Sequence, residues 1–344
     1  YTILPLRYLV VAVDPDSSSS PLPILKRWND TTEINIKVWS DEDYGQPTFS
    51  IPENYNSLTK DTITIMRTQI HRNRQTHFIS ECLKYHKSNL RQWVILVDAD
   101  EFVVFNTPHQ VESVQEKTCG NSGTHQKELR FRLKEINAPF QNLPQNKQES
   151  SNRTELPVIG EMTVIDYIKR EKHKKPWYNQ ACVTMPRILI GSNSSGANNN
   201  SKIKKDVPAG FDANDFDTAR YRVHADINNW DANLYGKVIV DVNRIAEEVL
   251  QYPAYSVHRP YLRRCPYSYP CLDESMLKVN HYLGSFEAYS SRSDVRRSAK
   301  FYNEKASLID GGTDDDIRPW IKHFVDNVGE ESARNLTSNL LKYV

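Results

Sequence analysis

The sequence predicts an α/β domain with a Rossmann-like, mostly parallel central sheet flanked by helices and followed by a C-terminal helical extension. Residues 1–105 alternate apolar, β-branched runs with helical patterns in the order β-α-β-α-β, which is typical of parallel sheets. Acidic residues follow each of the three predicted strands. Because ligands bind where parallel strands end, these acids predict a nucleotide crevice at that edge of the sheet.

The first half-sheet begins with a predicted strand over residues 7–13, which ends in the turn-forming run D-P-D-S-S-S-S. Helical spacing then covers residues 22–28, and a second strand over residues 34–39 runs into Ser40 and Asp41. A long segment, residues 61–90, follows with a helical period in its second half. It leads directly to the stretch around which the chain is organised.

That stretch, residues 93–105, reads W-V-I-L-V-D-A-D-E-F-V-V-F. Its apolar start suits a central strand covered on both faces. Asp98 and Asp100 are expected to point the same way on an extended backbone, where a divalent cation such as Mn²⁺ or Mg²⁺ relieves their repulsion. Glu101, on the opposite face, is expected to hold a backbone amide or a basic side chain. The alternative is a solvated turn at the strand end.

The remaining chain predicts further strands and the C-terminal helices. Strands are predicted over residues 186–191, 220–224 and 237–240. Helices are predicted over residues 242–250, from about 292 to 308, and over 317–328, the last two leading into the extension.

Charge and motifs exclude several classes of function. The formal net charge is +1, from 44 basic and 43 acidic residues, which gives no support for a nucleic-acid or anionic-membrane partner. Neither a P-loop nor a dinucleotide fingerprint is present, so phosphates must be held otherwise. No run approaches the roughly 18 apolar residues of a membrane span. The spacing of the five cysteines disfavours a zinc site.

Two features point to the lumen of the secretory pathway. Cys265 and Cys271 bracket the short loop C-P-Y-S-Y-P-C, which a disulfide can close in an oxidising compartment. Five Asn-x-Ser/Thr triplets also occur, several in predicted exposed loops, at Asn29, Asn152, Asn193, Asn199 and Asn335. We therefore expect a location in the Golgi lumen, with a type II membrane anchor removed from the chain.

Several blocks together carry a resemblance to a known family. R-Q-T-H-F-I-S-E-C-L (74–83) and W-V-I-L-V-D-A-D-E-F (93–102) come first, and N-H-Y-L-G-S-F-E-A-Y-S-S-R (280–292) lies far downstream. In this order they resemble glycosyltransferases of fold type A (GT-A), closest to family 92 and its relatives of the family 2 type. Gly284 stands where that family usually has lysine, which leaves the acceptor open.

The resemblance implies transfer of a sugar, galactose in that family, from a UDP-sugar to a glycan or glycoconjugate hydroxyl, with inversion and usually with Mn²⁺. Residues 1–110 would form the nucleotide-sugar half, 111–300 the acceptor half of the same domain, and 301–344 the helical extension. Asp98 and Asp100 match the acids for metal and ribose-phosphate, and His281 matches a late histidine of the metal shell.

The other candidate site residues carry simpler alternatives. Asp14 and Asp41 are expected to contact the uridine, although acids after strands also form plain turns. Arg74 and Gln75 are expected to reach the donor from their helix, where a solvated arginine is the alternative. His258, followed by Arg259, suggests phosphate binding.

Inversion needs a general base on the acceptor hydroxyl, and a carboxylate usually serves. Asp226 and Asp231 are the candidates because they follow a predicted strand and flank Trp230, whose ring suits a sugar face. Loop capping by aspartate is the alternative use of both.

Two rival classes remain. A haloacid-type phosphatase also places D-x-D after a strand, but its motif belongs on the first strand and lacks the glutamate found here at Glu101. The second rival is a sugar-binding GT-A module that has lost turnover, which an assay of donor hydrolysis or transfer separates from an enzyme.

Overall fold

The protein has a mixed α/β fold. The computed structural model describes residues 6–15, 17, 20–44, 59–105, 168–169, 179–191, 207–212, 215–226, 232–233, 235–261, 265, 277–291, 299–313 and 320–338. Asp231, Trp230, Cys271 and three of the Asn-x-Ser/Thr triplets, at Asn152, Asn193 and Asn199, lie outside these residues.

The described residues form nine strands. They are β1 (Tyr8–Ala12), β2 (Asn35–Trp39), β3 (Trp93–Leu96), β4 (Glu101–Phe105), β5 (Cys182–Met185), β6 (Arg187–Gly191), β7 (Val223–His224), β8 (Lys237–Asp241) and β9 (Leu277–Tyr282). Their hydrogen-bonded orders are β1-β2, β3-β8-β5 and β4-β9-β6-β7.

Eight α-helices accompany them within the same described residues. They are α1 (Leu22–Thr31), α2 (Lys60–Ser88), α3 (Asp217–Arg220), α4 (Glu247–Leu250), α5 (Phe286–Ser291), α6 (Ala299–Ala306), α7 (Trp320–Val328) and α8 (Glu330–Thr337). None of the described helices is both long and apolar enough to cross a membrane.

The strand directions correct the expectation of a mostly parallel sheet. β1 pairs with β2, and β6 with β9, in parallel. The pairings β3-β8, β5-β8, β4-β9 and β6-β7 are antiparallel. Apolar periodicity marks strands but carries no direction, and the late strands β8 and β9 return against β3 and β4. The elements β1-α1-β2-α2-β3 follow the predicted order along the chain, but β3 pairs with β8 and does not join β1 and β2 in one half-sheet.

Local signals explain which elements were predicted well. α2 begins where the Thr59 side chain accepts a hydrogen bond from the amide of Thr62 at 3.2 Å, a standard N-cap. The strand predicted over 220–224 is wrong in part, because residues 217–220 are a short helix and only Val223–His224 pair as a strand. The helix predicted over 242–250 is a 3₁₀ turn, Val242–Arg244, followed by α4.

The main core lies between α2 and the β3-β8-β5 sheet. Leu83 of α2 is fully buried against a layer that includes Val94, Val238 and Val240. The C-terminal extension packs back on the N-terminal half, because Trp28 of α1 stacks on Phe324 of α7 with ring centroids 5.5 Å apart. Packing against α2 and β8 thus fixes the position of β3, which leads into the acids.

The disulfide differs from the one predicted. Cys265 is bonded to Cys182 of β5, 83 residues away, and not to Cys271. Both partners are buried in the main core. The short spacing of Cys265 and Cys271 in the sequence could not reveal that β5 passes beside Cys265. The bridge ties the segment after His258 to the β3-β8-β5 sheet.

Cys265→Ser is expected to lower the free energy of unfolding by about 2–4 kcal/mol, because a bridge that closes a long loop restricts the unfolded chain. Cys271→Ser is the control for the pairing and should leave the Cys182–Cys265 bridge intact. Denaturant unfolding and mass spectrometry of non-reduced peptides measure the two effects. A peptide that links Cys265 to Cys271 would contradict the structure.

Candidate active site

The D-A-D segment is a turn and not an extended strand end. β3 stops at Leu96, and the amide of Glu101 donates to the carbonyl of Asp98 at 3.1 Å. The extended backbone expected at Asp98 and Asp100 is therefore wrong, and the two-residue alternation, which holds only for extended backbone, does not apply to them. The turn instead directs the two carboxylates to different partners.

Asp98 and Glu101 share one buried cation. The Nζ atom of Lys237, the first residue of β8, lies 2.7 Å from an Asp98 carboxylate oxygen and 3.0 Å from one of Glu101. The Lys237 and Glu101 side chains are each 1% exposed, whereas that of Asp98 is 46% exposed. Glu101 also accepts from the Asp98 amide at 2.9 Å. The expectation that Glu101 holds a backbone amide or a basic side chain is thus confirmed on both counts.

Asp100 meets His281 across neighbouring strands. Its carboxylate oxygen Oδ2 lies 3.7 Å from His281 Nε2, and both side chains are largely buried. The alignment follows from the antiparallel β4-β9 pair, in which Glu101 is opposite His281. The Asp100 carbonyl accepts from the amide of Tyr282 at 2.9 Å, which fixes the turn to β9. Two residues distant in sequence are thereby brought into one site.

A second acidic group lies where β1 and β2 end. Arg74 of α2 donates through Nε to Asp41 at 2.8 Å, and its Nη1 atom lies 3.5 Å from Asp14. His71, one turn earlier, is 3.4 Å from Asp14, and Tyr44 donates its hydroxyl to Asp41. Asp14, Asp41 and Arg74, each expected at the donor, therefore lie together. Whether they contact a nucleotide stays a prediction.

Gln75, the next residue of α2, behaves differently from Arg74. Its side chain forms no hydrogen bond within the part of the chain that the structure describes, and it is half-buried. The expectation that it reaches a donor stays a prediction.

His258 is a neutral ring held in place by the backbone. Its Nδ1 atom lies 3.0 Å from the carbonyl of Gly236, so Nδ1 carries the proton and Nε2 is the acceptor. Burial, with further contributions from the nearby Lys237 and Arg187 cations, lowers the pKa of His258 to about 4. Arg259 does not join His258 in a phosphate site, because the Arg259 guanidinium donates to the Cys265 carbonyl at 3.3 Å. Phosphate binding by His258 would thus use an uncharged imidazole.

The lowered pKa of His258 predicts a stability that depends on pH. The unfolded histidine takes up its proton near pH 6.5 and the folded one only near pH 4, so the folded state is fully stable above pH 6.5. We expect the free energy of unfolding to fall by up to about 3 kcal/mol between pH 6.5 and 4. His258→Gln should lose this part of the pH slope in denaturant titrations, and an unchanged slope would contradict the assignment.

Of the two candidate bases, Asp226 lies within the described residues. Asp226 is exposed just beyond β7, and its backbone carbonyl accepts from Nδ2 of the Asn233 side chain at 2.8 Å. Asp231 lies outside the described residues. The role of either residue as general base stays a prediction.

The sequence reading overlooked Lys237 and Arg187. Arg187, the first residue of β6, has its Nη1 atom 3.9 Å from Glu101. A signal for Lys237 was present, since a single lysine opens the apolar run K-V-I-V, and a charge in a buried strand requires an opposite charge beside it. Glu101 supplies that charge.

The donor set suits a hard divalent ion in part. No group of three or more His, Cys, Asp or Glu side chains in the described residues is arranged to hold a metal. Asp100 and His281 provide one oxygen and one nitrogen donor side by side, and Mn²⁺ or Mg²⁺ commonly completes its shell with water and phosphate oxygens. Asp98, expected as a third ligand, is engaged by Lys237.

Comparisons with protein-family models, curated proteins and solved structures gave no match to this chain.

Proposed function

We propose that the protein is a metal-dependent inverting glycosyltransferase of fold type A, which moves a sugar, galactose by preference, from a UDP-sugar to a hydroxyl of a glycan or glycoconjugate. The contact between Asp100 and His281 carries the proposal, because it joins the D-A-D turn to the late His-Tyr motif. Both motifs belong to the sequence resemblance, and neither motif by itself requires that the two lie together in space.

Asp100 and His281 would hold Mn²⁺ or Mg²⁺ at this site. The chemistry that such an ion supplies when bound is Lewis-acid stabilisation of the charge that develops on the departing diphosphate. Asp98, partly exposed beside Lys237, is available to accept hydrogen bonds from the hydroxyl groups of a ribose, while Lys237 keeps the turn in one conformation. Arg74, with Asp14 and Asp41, would line the uridine end of the crevice.

Inversion follows from a single displacement. The acceptor hydroxyl attacks the anomeric carbon from the face opposite the nucleotide, the bond to the diphosphate oxygen breaks, and UDP leaves with the bonding pair. A carboxylate accepts the hydroxyl proton. Asp226 is the described candidate for this step, and Asp231 is the other candidate in the sequence.

The compartment is part of the same proposal. The Cys182–Cys265 bridge fits an oxidising lumen, and Asn29 and Asn335 are both solvent-exposed, on α1 and α8. A Golgi enzyme with a type II anchor outside these residues agrees with both observations.

Turnover separates this enzyme from a sugar-binding module that has lost catalysis. The full chain is incubated with Mn²⁺ and a panel of UDP-sugars, with and without a mixture of glycan acceptors, and released UDP is measured. An enzyme releases UDP in a metal-dependent manner, and Asp100→Ala should reduce the rate at least about 100-fold. UDP binding without any release would favour the silent module, since the capture of Asp98 by Lys237 is compatible with a site that binds donor without turnover.

A further inference from the structure

Tyr235 holds an exposed aromatic ring on a strained backbone. Its φ angle is +64°, a left-handed conformation that bulky side chains rarely adopt, and its side chain is about half exposed. Such strain persists only where the surrounding structure enforces it, and it is concentrated at ligand sites.

His258 supports the inner face of this ring. The two rings stack with centroids 5.3 Å apart and an angle of 28° between their planes. The imidazole is itself fixed by its hydrogen bond to the carbonyl of Gly236. Tyr252 and Tyr255 are more exposed than Tyr235, yet neither stacks on another ring within the described residues. The Tyr235–His258 pair is therefore a rigid two-ring layer whose outer face is open to solvent.

The pair adjoins the D-A-D turn through the backbone. Tyr235, Gly236 and Lys237 are consecutive, so the same three residues provide the ring, the acceptor that orients His258 and the cation that binds Asp98 at 2.7 Å. Asp98 and Tyr235 are both open to solvent. An exposed aromatic face, two residues along the chain from the lysine that binds a carboxylate, matches a molecule with one C–H face and an edge of hydroxyl groups.

We propose that the Tyr235–His258 stack is a platform for a pyranose ring of the substrate, either the sugar of the donor or the terminal sugar of the acceptor, beside Asp98. The inference rests on the proposed function and specifies where that site holds a sugar. The C–H face of the pyranose packs on the Tyr235 ring, which excludes water from both surfaces. The carboxylate of Asp98 accepts hydrogen bonds from hydroxyl groups at the ring edge.

Two binding arms distinguish the sources of the sugar. In the donor arm, calorimetry compares UDP with UDP-galactose in the presence of Mn²⁺. In the acceptor arm, NMR titration uses methyl β-galactopyranoside, methyl β-glucopyranoside and methyl α-mannopyranoside, with and without UDP. Tyr235→Asn removes the ring and suits the left-handed backbone, Tyr235→Phe keeps the ring, and Tyr252→Ala is the matched exposed-tyrosine control.

We expect Tyr235→Asn to weaken sugar binding about fivefold to tenfold in one of the two arms, while Tm stays level or rises. The affinity of Tyr235→Asn for UDP should remain near that of wild type. Tyr235→Phe and Tyr252→Ala should bind the sugars with nearly wild-type affinity. If UDP still binds but Tyr235→Asn alters neither arm, or if it lowers Tm and changes all affinities together, the platform is refuted and the proposed function stands. If wild type fails to bind UDP, the proposed function fails, and the acceptor arm without UDP decides the platform by itself.

Discussion

Lys237→Ala is expected to lower the free energy of unfolding by about 3–5 kcal/mol, because it leaves Glu101 as a buried carboxylate without its nearest cation. The Lys237 and Glu101 side chains are each 1% exposed, so water cannot replace the lost partner. Arg187, at 3.9 Å from Glu101, is too distant to compensate fully. Urea unfolding followed by circular dichroism measures the change.

Two further variants test the physical reason for this loss. The double variant Lys237→Met with Glu101→Gln removes both buried charges and should recover at least half of the stability, since an apolar or neutral pair of similar volume needs no counter-charge. Lys300→Ala removes an exposed lysine and should cost less than about 0.5 kcal/mol. If Lys237→Ala is no more harmful than Lys300→Ala, the buried cluster does not hold the turn as described.

Asp100→Ala and His281→Ala are each expected to weaken Mn²⁺ binding about 100-fold or more in the presence of UDP. Each variant removes one of the two protein donors that lie together at 3.7 Å. Electron paramagnetic resonance of free Mn²⁺ measures the affinity directly and needs no acceptor.

Asp310→Ala is the matched control for the metal site. Asp310 is an exposed aspartate of the C-terminal half, and its removal changes the net charge as Asp100→Ala does. Its Mn²⁺ affinity should equal that of wild type. Equal losses in all three variants would show non-specific attraction of the cation, and no loss in His281→Ala would remove His281 from the metal shell.

The sequence predicted the first half of the fold well because its signals there are local. Hydrophobic alternation and helical period place β1, α1, β2, α2 and β3 to within a few residues. The β4 strand was overlooked because the acids before it read as the end of β3, although a tight turn joins the two strands. Strand direction in β8 and β9 is set by long-range packing, which no local pattern encodes.

In the candidate site, too, local sequence signals were predictive and long-range contacts were not. The acids that follow β1 and β2 were predicted to lie at one edge, since parallel strands place their ends together, but the contact of Arg74 with both of them was not predicted. The contact of Asp98 with Lys237 was not predicted, because Lys237 reaches Asp98 from the distant strand β8. Cys265 pairs with Cys182 for a similar reason, because spatial neighbours on distant strands outweigh proximity in sequence.

Calorimetric titration of UDP into the full chain, with and without Mn²⁺ and repeated on Asp100→Ala, tests the donor site most directly. The contact between Asp100 and His281 predicts binding that requires the metal and that Asp100→Ala abolishes, while Asp310→Ala retains it. Equal binding with and without Mn²⁺, or no binding by wild type under either condition, would contradict a metal-dependent UDP-sugar site at the D-A-D turn.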